Sequence, residues 1–324
     1  MAVLTALHER DALELAAEYG LTDLSAVTGV PAGSVNSNFS LWLGGRRYFL
    51  RLYEERDFPG AEHETAMLRR LADAGVPTPA PVARTDRALV SRLRGKPAAL
   101  FPWRDGTMRC QASVSPGDVG KVGAALAAVH RAGAHETCEL GRFRYEDLIR
   151  RLETIALRRH GTFEALVPRL RAELDRAHAA RDVTLPRGLT HGDLFRDNVL
   201  WNEQGEIAAL LDFESASEGT FAYDLMVTLL AWCVGDELDL RLCAALVRGY
   251  ESVRPLASAE RRALWAEGCF AALRFTITRI TDYALRDGHA GPRVVKDWRR
   301  FLMRFERLKA IGADDFPRLL FSSR

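Results

Sequence analysis

The sequence predicts an α+β chain: a small antiparallel sheet near the N-terminus, then a larger and mostly helical remainder. Three observations lead to this fold class. Strand-like runs separated by tight turns fill much of the chain before Phe101, helical periodicity dominates after it, and Pro102 to Gly106 breaks the chain between the two regimes. We therefore divide the chain into an N-lobe of residues 1–103 and a C-lobe of residues 104–324.

The N-lobe elements follow from periodicity and from turn residues. Gly44-Gly45 and Arg94-Gly95 are typical hairpin turns, and the prolines from Pro77 onward end a helix. We predict helices over residues 5–19 and 60–74, and strands over 24–30, 39–43, 48–53, 88–91 and 98–101.

The C-lobe reads as a series of amphipathic or apolar helices interrupted by one hairpin. Gln204-Gly205 forms the turn of that hairpin, whose second strand covers residues 207–211. His130, near the end of its helix, is expected to complement the helix dipole. The predicted helices cover residues 116–132, 145–159, 163–180, 225–233, 238–254, 258–284 and 294–309.

Composition limits the class of protein. Hydrophobic and charged fractions of 48% and 27% are those of an ordinary soluble globular protein, and a net charge of +2 indicates neither nucleic acid nor an anionic membrane as a partner. The chain has no apolar run of about 18 residues and no signal-peptide pattern, so we expect a cytoplasmic protein. Its five cysteines contain no Cys-x-x-Cys pair, which favours reduced thiols. The oligomeric state stays open.

Residues 190–214 carry the strongest chemical signal. Asp193 and Asn198 lie five residues apart on a loop, and the hairpin that follows ends at Asp212, so we expect the three side chains to converge. Phosphoryl transfer from a nucleotide needs such a set: a carboxylate for the acceptor hydroxyl and two oxygen ligands for Mg²⁺. The order and spacing match protein-kinase catalytic loops. The alternative, an ordinary His-Gly-Asp turn followed by a strand-end cap, explains each piece but not the joint pattern.

The nucleotide-binding residues are expected in the N-lobe. Ser37 and Asn38, in a small polar loop between strands, either donate to phosphate oxygens or satisfy the turn. Arg51 lies on the third strand, where kinases place the lysine that holds the α and β phosphates, and a guanidinium fits phosphate geometry. An exposed strand arginine is the alternative. Glu64 on the next helix is the predicted partner of Arg51, with Glu62 as its rival.

The segment after the sheet carries the expected adenine contacts and points to the class of acceptor. Adenine should stack near the hinge and hydrogen-bond to backbone groups around Phe101 to Trp103. Twelve residues separate Asp212 from Asp224, too few for a long activation segment, and Gly192 replaces the arginine that reads a phosphorylated segment in protein kinases. Both facts predict a small-molecule acceptor. Asp224 is expected to brace the catalytic-loop backbone, with a helix N-cap as the alternative.

The predicted helix over residues 258–284 contains charges on an otherwise apolar stretch. Arg279 and Asp282, three residues apart, can pair with each other. Arg274 has no such local partner, and charges on apolar stretches usually have a partner or a function. Arg274 is therefore the better candidate for binding a substrate anion.

These residues resemble the aminoglycoside phosphotransferase-like (APH) superfamily, and within it the type II homoserine kinases. The resemblance spans nearly the whole chain. It is carried by the loop from Ser34 to Phe39, by residues 95–100, 191–198 and 211–213, and by Ala222-Tyr-Asp-Leu225, Ala231-Trp-Cys233, residues 249–256 and residues 273–279.

The resemblance implies a protein-kinase-like fold of two lobes and the reaction of MgATP with L-homoserine to give ADP and O-phospho-L-homoserine, a step of threonine synthesis. Asp193 is the implied base, and Asn198 and Asp212 are the implied metal ligands. The expected substrate residues and the expected structural supports complete the set: Glu214, Trp232, Arg274 and Arg279 for the substrate, and His191 and Asp224 for support.

Two departures from the family pattern keep other functions open. Arg51 replaces the usual lysine, and Glu214 stands where homoserine kinases favour an aromatic residue, as it would for a different substrate. One alternative is a kinase for an aminoglycoside, choline or a thiosugar, although the arginines at 274 and 279 disfavour a polycation. The other is a nucleotide-binding pseudokinase that only scaffolds, which the joint presence of Asp193, Asn198 and Asp212 disfavours.

Overall fold

The computed structural model of the protein describes residues 4–31, 35–136, 138–158, 160–285 and 296–321. The chain forms two compact units, one of Met1–Thr107 with Leu200–Glu214 and one of Met108–Val199 with Ser215–Arg324. The first unit thus ends close to the predicted division at residue 103, but it also takes in residues 200–214, which we had placed in the C-lobe. Ser34 and the first two residues of the predicted helix 294–309 lie outside the described residues.

Within this described part, the strands are short and the helices longer. The strands are β1 (Leu24–Gly29), β2 (Ser37–Leu43), β3 (Arg46–Leu52), β4 (Ser91–Leu93), β5 (Lys96–Pro102), β6 (Arg187–Thr190), β7 (Val199–Trp201), β8 (Ile207–Leu210) and β9 (Ser217–Thr220). The helices are α1 (Glu9–Glu18), α2 (Phe58–Asp73), α3 (Pro116–Ala132), α4 (Tyr145–Leu157), α5 (Gly161–Glu164), α6 (Leu166–Ala179), α7 (Phe221–Trp232), α8 (Leu240–Glu251), α9 (Ser258–Arg279), α10 (Arg299–Ile311) and α11 (Asp315–Phe321).

The first unit is built on a five-stranded antiparallel sheet in the order β1-β2-β3-β5-β4. Gly44 and Gly45 connect β2 to β3 with φ values of +53° and +71°, the left-handed conformations that a two-residue type I′ turn requires. One face of α1 packs on this sheet, and the core between them contains Ala12, Leu15, Ala16, Phe39, Leu41, Leu43, Leu50, Leu52, Ala98 and Leu100. The predicted antiparallel sheet is confirmed.

The second unit is mostly helical. Helices α3 and α8 approach each other so closely that a Cβ added at Gly249 would lie 1.9 Å from the carbonyl oxygen of Gly120. Only glycine permits this approach of two backbones. The two-stranded sheet of β6 and β9 pairs Leu189 with Glu218. Strand β6 ends at Thr190, directly before the predicted catalytic loop, residues 191–198.

The structure differs from the sequence prediction in several elements. The predicted helix over residues 163–180 is divided at Ala165, because Pro168 is tolerated in the first turn of a new helix but not inside a continuing one. Helix α9 ends at Arg279 and continues as a wider π turn over Ile280–Ala284. Strands β6 and β9 and helix α11 were not predicted. No helix in the described ranges is both long and apolar enough to cross a membrane.

Candidate active site

The backbone of the catalytic loop is held by Asp224, a fully buried residue on α7. The N–H groups of His191 and Gly192 donate to the two carboxylate oxygens of Asp224 at 2.6 and 2.8 Å. The hydroxyl of Thr220, not Asp224, caps the N-terminus of α7. The predicted bracing role of Asp224 is therefore confirmed, and the N-cap alternative is wrong.

Asp224 is itself held by a chain of hydrogen-bonded side chains. His130 Nε2 lies 3.0 Å from Asp224 Oδ2, His130 Nδ1 lies 2.7 Å from the Tyr250 hydroxyl, and Arg254 Nη1 donates to the same hydroxyl at 3.2 Å. Complete burial lowers the pKa of His130, so its ring is neutral. Since an ionised carboxylate only accepts, Nε2–H donates to Asp224 and Nδ1 accepts from Tyr250.

Burial works against the charge on Asp224, but the hydrogen bonds from His130 and from the Gly192 N–H hold the pKa of Asp224 below its ordinary value. The carboxylate that braces the loop is thus ionised at neutral pH. Our expectation that His130 complements a helix dipole is wrong, because its ring is buried and both nitrogens are engaged inside the unit. Sequence spacing did not indicate this chain, because its hydrogen-bonded partners lie up to 120 residues apart.

Local geometry places Asp193 and Asn198 on one loop. Gly192 has φ +74°, and a Cβ there would lie 2.8 Å from the Ser215 carbonyl oxygen, so the loop requires glycine at this position. The Asn198 amide donates to the Asp193 carbonyl oxygen at 2.8 Å, which leaves the amide oxygen of Asn198 as the atom suited to a cation. His191 is buried, and its Nδ1 accepts from the Asp193 N–H at 3.3 Å, which fits its predicted supporting role.

Asp212 lies in the first unit, whereas Asp193 and Asn198 lie in the second. Their predicted convergence stays a prediction. Asp212 has φ +61°, an uncommon conformation for a residue other than glycine, and strain of this kind concentrates at functional sites. Its Oδ1 atom is buried and has no hydrogen-bond partner among the described residues, as expected of an oxygen reserved for a cation. The donor chemistry of Asn198 and of Asp212 therefore fits Mg²⁺.

Arg51 and Glu64 form the ion pair that the sequence predicts. Arg51 Nη1 lies 2.9 Å from Glu64 Oε1, while the rival Glu62 is exposed. Burial opposes the charge on Arg51, but the carboxylates of Glu64, Glu214 and Asp212 raise the pKa of Arg51 above its ordinary value. Arg51 is therefore a permanent cation, with its side chain 14% exposed, which answers the alternative of a solvated strand arginine.

Glu214 takes part in the same cluster of the first unit. The Asn36 amide donates to Glu214 Oε1, and Arg51 Nη1 lies 3.9 Å from the same oxygen. Burial raises the pKa of Glu214, since Arg51 offsets only part of that effect. These contacts do not test the substrate role that we expected for Glu214, but they account for its carboxylate within the unit.

The remaining predicted nucleotide contacts lie on strands or next to them. The fully buried Ser37 hydroxyl accepts from the backbone N–H groups of Leu4 and Thr5 and donates to Glu54, which favours the structural alternative for Ser37. Asn38 is buried on β2 beside it.

The predicted adenine contacts lie at the end of β5. Phe101 is buried on this strand, and the Trp103 N–H donates to the Arg47 carbonyl at 3.2 Å. The adenine contacts that we expect in this stretch stay a prediction.

Trp232 is fully buried, and its indole N–H donates to the Leu194 carbonyl at 2.9 Å, so this side chain supports the catalytic loop. The substrate role that we expected for Trp232 stays a prediction. One expectation for the helical unit is wrong. Asp282 pairs with Arg151 and not with Arg279, which donates to the Asp297 carbonyl at 2.9 Å.

Arg274 is buried on α9, as an arginine set in an apolar helix predicts. Sequence reasoning missed Arg304, which interrupts the apolar stripe Phe301, Phe305 and Leu308 on α10. An arginine at such a position was the signal that could have found it.

Comparison with known proteins agrees with these motifs. The model of the phosphotransferase enzyme family (APH) matches residues 26–256. A homoserine kinase of Gluconacetobacter diazotrophicus is 37% identical over 297 residues, which cover 87% of this chain and 89% of the relative. A homoserine kinase of Brucella melitensis biotype 1 is 33% identical over 324 residues and covers 97% of both chains.

Solved structures share the fold. The amicoumacin kinase hAmiN, solved with AMP-PNP, Ca²⁺ and Ami, has a TM-score of 0.71 at 18% identity and covers 95% of both chains. A microcompartment-associated aminopropanol kinase has a TM-score of 0.64 at 17% identity and covers 96% of this chain and all of the other. This likeness confirms the predicted fold class, a small antiparallel-sheet lobe with a mostly helical one. The chain belongs to the phosphotransferase enzyme family (APH).

Proposed function

We propose that the protein transfers the γ-phosphoryl group of ATP to the hydroxyl of L-homoserine, giving ADP and O-phospho-L-homoserine for threonine synthesis. The observation that carries the proposal is the likeness to homoserine kinases, at 33% to 37% identity, over 87% to 97% of the chain. The braced loop that presents Asp193 supports the same reaction from the geometry.

Asp193 is the proposed catalytic base. The homoserine hydroxyl oxygen forms the new bond to the γ-phosphorus, the bond from that phosphorus to the β-phosphate oxygen breaks, and the hydroxyl proton passes to the Asp193 carboxylate. Because the N–H groups of His191 and Gly192 are fixed on Asp224, the loop needs little rearrangement to orient the hydroxyl.

The nucleotide is proposed to bind through residues that the family pattern assigns to it. Arg51, held by Glu64, supplies a cation for the phosphate groups. Asn198 and Asp212 are the residues that would hold Mg²⁺, which when bound offsets the negative charge of the phosphates. These roles rest on the family pattern and on two oxygen atoms suited to a cation, the Asn198 amide oxygen and Asp212 Oδ1.

The test is an ADP-release assay with MgATP and a panel of acceptors: L-homoserine, L-serine, choline, methylthioribose and kanamycin. We expect turnover with L-homoserine at a kcat/KM at least tenfold above that of every other acceptor. Turnover confined to another alcohol would keep the phosphotransferase and replace the acceptor. ATP binding without turnover on any acceptor would contradict the proposal and favour a scaffold.

A further inference from the structure

Three arginines of the second unit are buried or partly buried, and no carboxylate of the described residues pairs with them. Arg274 is 3% exposed, Arg304 is 7% exposed and Arg279 is partly buried. In the part of the chain that the structure describes, no carboxylate forms an ion pair with any of the three, and each has a buried Nε atom without a hydrogen-bond partner. Burying a cation without a counterion is costly, so an unpaired buried arginine calls for an explanation.

Their observed contacts are mostly aromatic. The guanidinium carbon of Arg274 lies 3.7 Å from the Phe275 ring centroid, and those of Arg279 and Arg304 lie 4.5 and 4.3 Å from the Phe301 centroid. Arg279 and Arg304 each donate to one backbone carbonyl, and Arg274 donates to no described residue. A guanidinium has five N–H donors, and ring faces satisfy none of them fully.

Burial lowers the pKa of all three guanidinium groups. The pKa of Arg279 falls to about 10, that of Arg304 falls to about 9, and that of Arg274 is also lowered. All three remain cations at neutral pH. Unlike the partly buried Arg181, which has Glu267 at 2.8 Å, none of the three forms an ion pair with a carboxylate of the described residues.

The arginines lie beside the catalytic loop. The ring of Phe195, two residues after Asp193, packs edge-on against Phe275 at 5.1 Å and lies tilted against Phe301 at 5.9 Å. The rings of Phe275 and Phe301 stack at 4.7 Å. The Asp193 charge raises the pKa of both Arg274 and Arg279, opposing the effect of burial. An anion bound by the three arginines would therefore lie next to Asp193, the proposed base for the acceptor hydroxyl.

We propose that Arg274, Arg279 and Arg304 form the subsite that binds the acceptor's carboxylate and so restrict the enzyme to hydroxyl acceptors of the amino-acid class. This proposal rests on the proposed function and adds the residues that select the acceptor. A carboxylate completes the missing hydrogen bonds, and a guanidinium can hold it through two parallel N–H···O bonds. A neutral or cationic alcohol would leave the buried arginine charges without an anion, so the enzyme should bind it much more weakly.

The test compares L-homoserine with L-homoserine amide, which keeps the hydroxyl and the ammonium but lacks the negative charge. In the wild type we expect kcat/KM for homoserine to exceed that for the amide about 100-fold or more. In Arg274→Met and in Arg304→Met, kcat/KM for homoserine should fall by a similar factor, while that for the amide changes less than threefold. Equal losses for the two acceptors would make the arginines structural and overturn the subsite.

Thermal unfolding without ligand supplies an independent readout. Removing an unbalanced buried charge should leave the Tm of Arg274→Met equal to or above that of the wild type. The matched control is Arg181→Met, which leaves Glu267 unpaired and should lower Tm while keeping the preference for homoserine. A marked loss of Tm in Arg274→Met would overturn the proposal.

Different results would contradict the proposed function and the proposed arginine subsite. If the wild type turns over the amide as well as homoserine, the reaction stands and the subsite falls. If the wild type turns over neither but phosphorylates an alcohol without a carboxylate, the acceptor assignment and the subsite both fall.

Discussion

The Asp193 carboxylate is the one side chain on which the proposed chemistry depends directly. Its backbone N–H donates to His191, and its carbonyl accepts from Asn198, so the position of the residue is fixed independently of the carboxylate. Asp193→Asn should therefore keep the loop and nucleotide binding, yet lower kcat by about 100-fold or more because the amide cannot accept the proton. Steady-state kinetics together with ATP titration measure both effects. Near-normal kcat would exclude Asp193 as the base.

Replacing Asp212 should affect binding of the metal–nucleotide complex. Its Oδ1 atom, without a hydrogen-bond partner among the described residues, is suited to a cation, so Asp212→Asn should weaken engagement of the metal–nucleotide complex. We expect the Mg²⁺ concentration for half-maximal activity to rise about tenfold or more, together with the KM for ATP. A titration with Mg²⁺ at fixed ATP measures this. An unchanged Mg²⁺ dependence would remove Asp212 from the metal site.

At the residue scale, the sequence could predict what depends on local order. The pairing of Arg51 with Glu64 followed from a strand and the helix after it, and the structure has it at 2.9 Å. The role of Trp232 could not be predicted this way, because its partner, the Leu194 carbonyl, is a backbone group 38 residues away. Side-chain type suggested a ligand contact for Trp232, whereas the structure shows a buried side chain that supports the loop.

At the element scale, the packing of α3 on α8 builds the support of the catalytic loop. Helix α3 carries His130 and α8 carries Tyr250, and the two side chains meet because the backbones touch at Gly120 and Gly249. Gly249→Ala would place a Cβ 1.9 Å from the Gly120 carbonyl oxygen and force the helices apart. We expect a lower Tm and a kcat about tenfold lower, since the Asp224 brace loses its backing.

A control substitution separates helix spacing from the general effect of replacing a glycine by alanine, because Gly235 lies between α7 and α8 and outside both. Gly235 has no atom within 4 Å of an added Cβ, so Gly235→Ala should leave Tm and kcat close to those of the wild type. Tyr250→Phe removes only the hydroxyl and tests the hydrogen-bonded chain itself, with an expected loss of stability of about 1–3 kcal/mol. If Gly249→Ala and Gly235→Ala behave alike, close helix packing does not position the loop.

Periodicity found the long elements and missed the short or distant ones. Helices such as α3 and α9 carry enough apolar residues at three- and four-residue spacing to be recognised. Strands β6 and β9 have four residues each and pair across a separation of about 30 residues, so nothing in either segment alone indicates the partner. Their pairing depends on tertiary contacts, as strand formation often does.

At the scale of the whole molecule, the buried charges fall into two groups. Those of the first group, such as Arg51 with Glu64 and Arg181 with Glu267, are balanced by a carboxylate within the same unit. Those of the second group, Arg274, Arg279 and Arg304, form no ion pair with a carboxylate of the described residues. Since an unbalanced buried cation lowers stability, its place in the fold is best explained by a ligand that supplies the anion.

The stability of the whole molecule should depend on pH through His130. Four ionisable or charged groups face its ring: Asp224 from α7, Tyr250 from α8, and Arg254 and Glu260 from the segments that follow. Burial holds the pKa of His130 below its ordinary value of 6.5, so below pH 6.5 the unfolded chain takes up a proton that the folded protein does not. The stabilisation is therefore fully present above pH 6.5 and is lost as pH falls.

The comparison of wild type with His130→Gln isolates this effect, because all other titrating groups are shared. Between pH 7.5 and 5.5, the wild type should lose more Tm than the variant, by about 2–4 °C per pH unit below 6.5, since one proton corresponds to about 1.4 kcal/mol per unit. His135→Gln, at an exposed position, is the control and should follow the wild type. Parallel curves for the wild type and His130→Gln would mean that the buried ring takes up its proton in the folded protein and that the neutral state assigned to His130 is wrong.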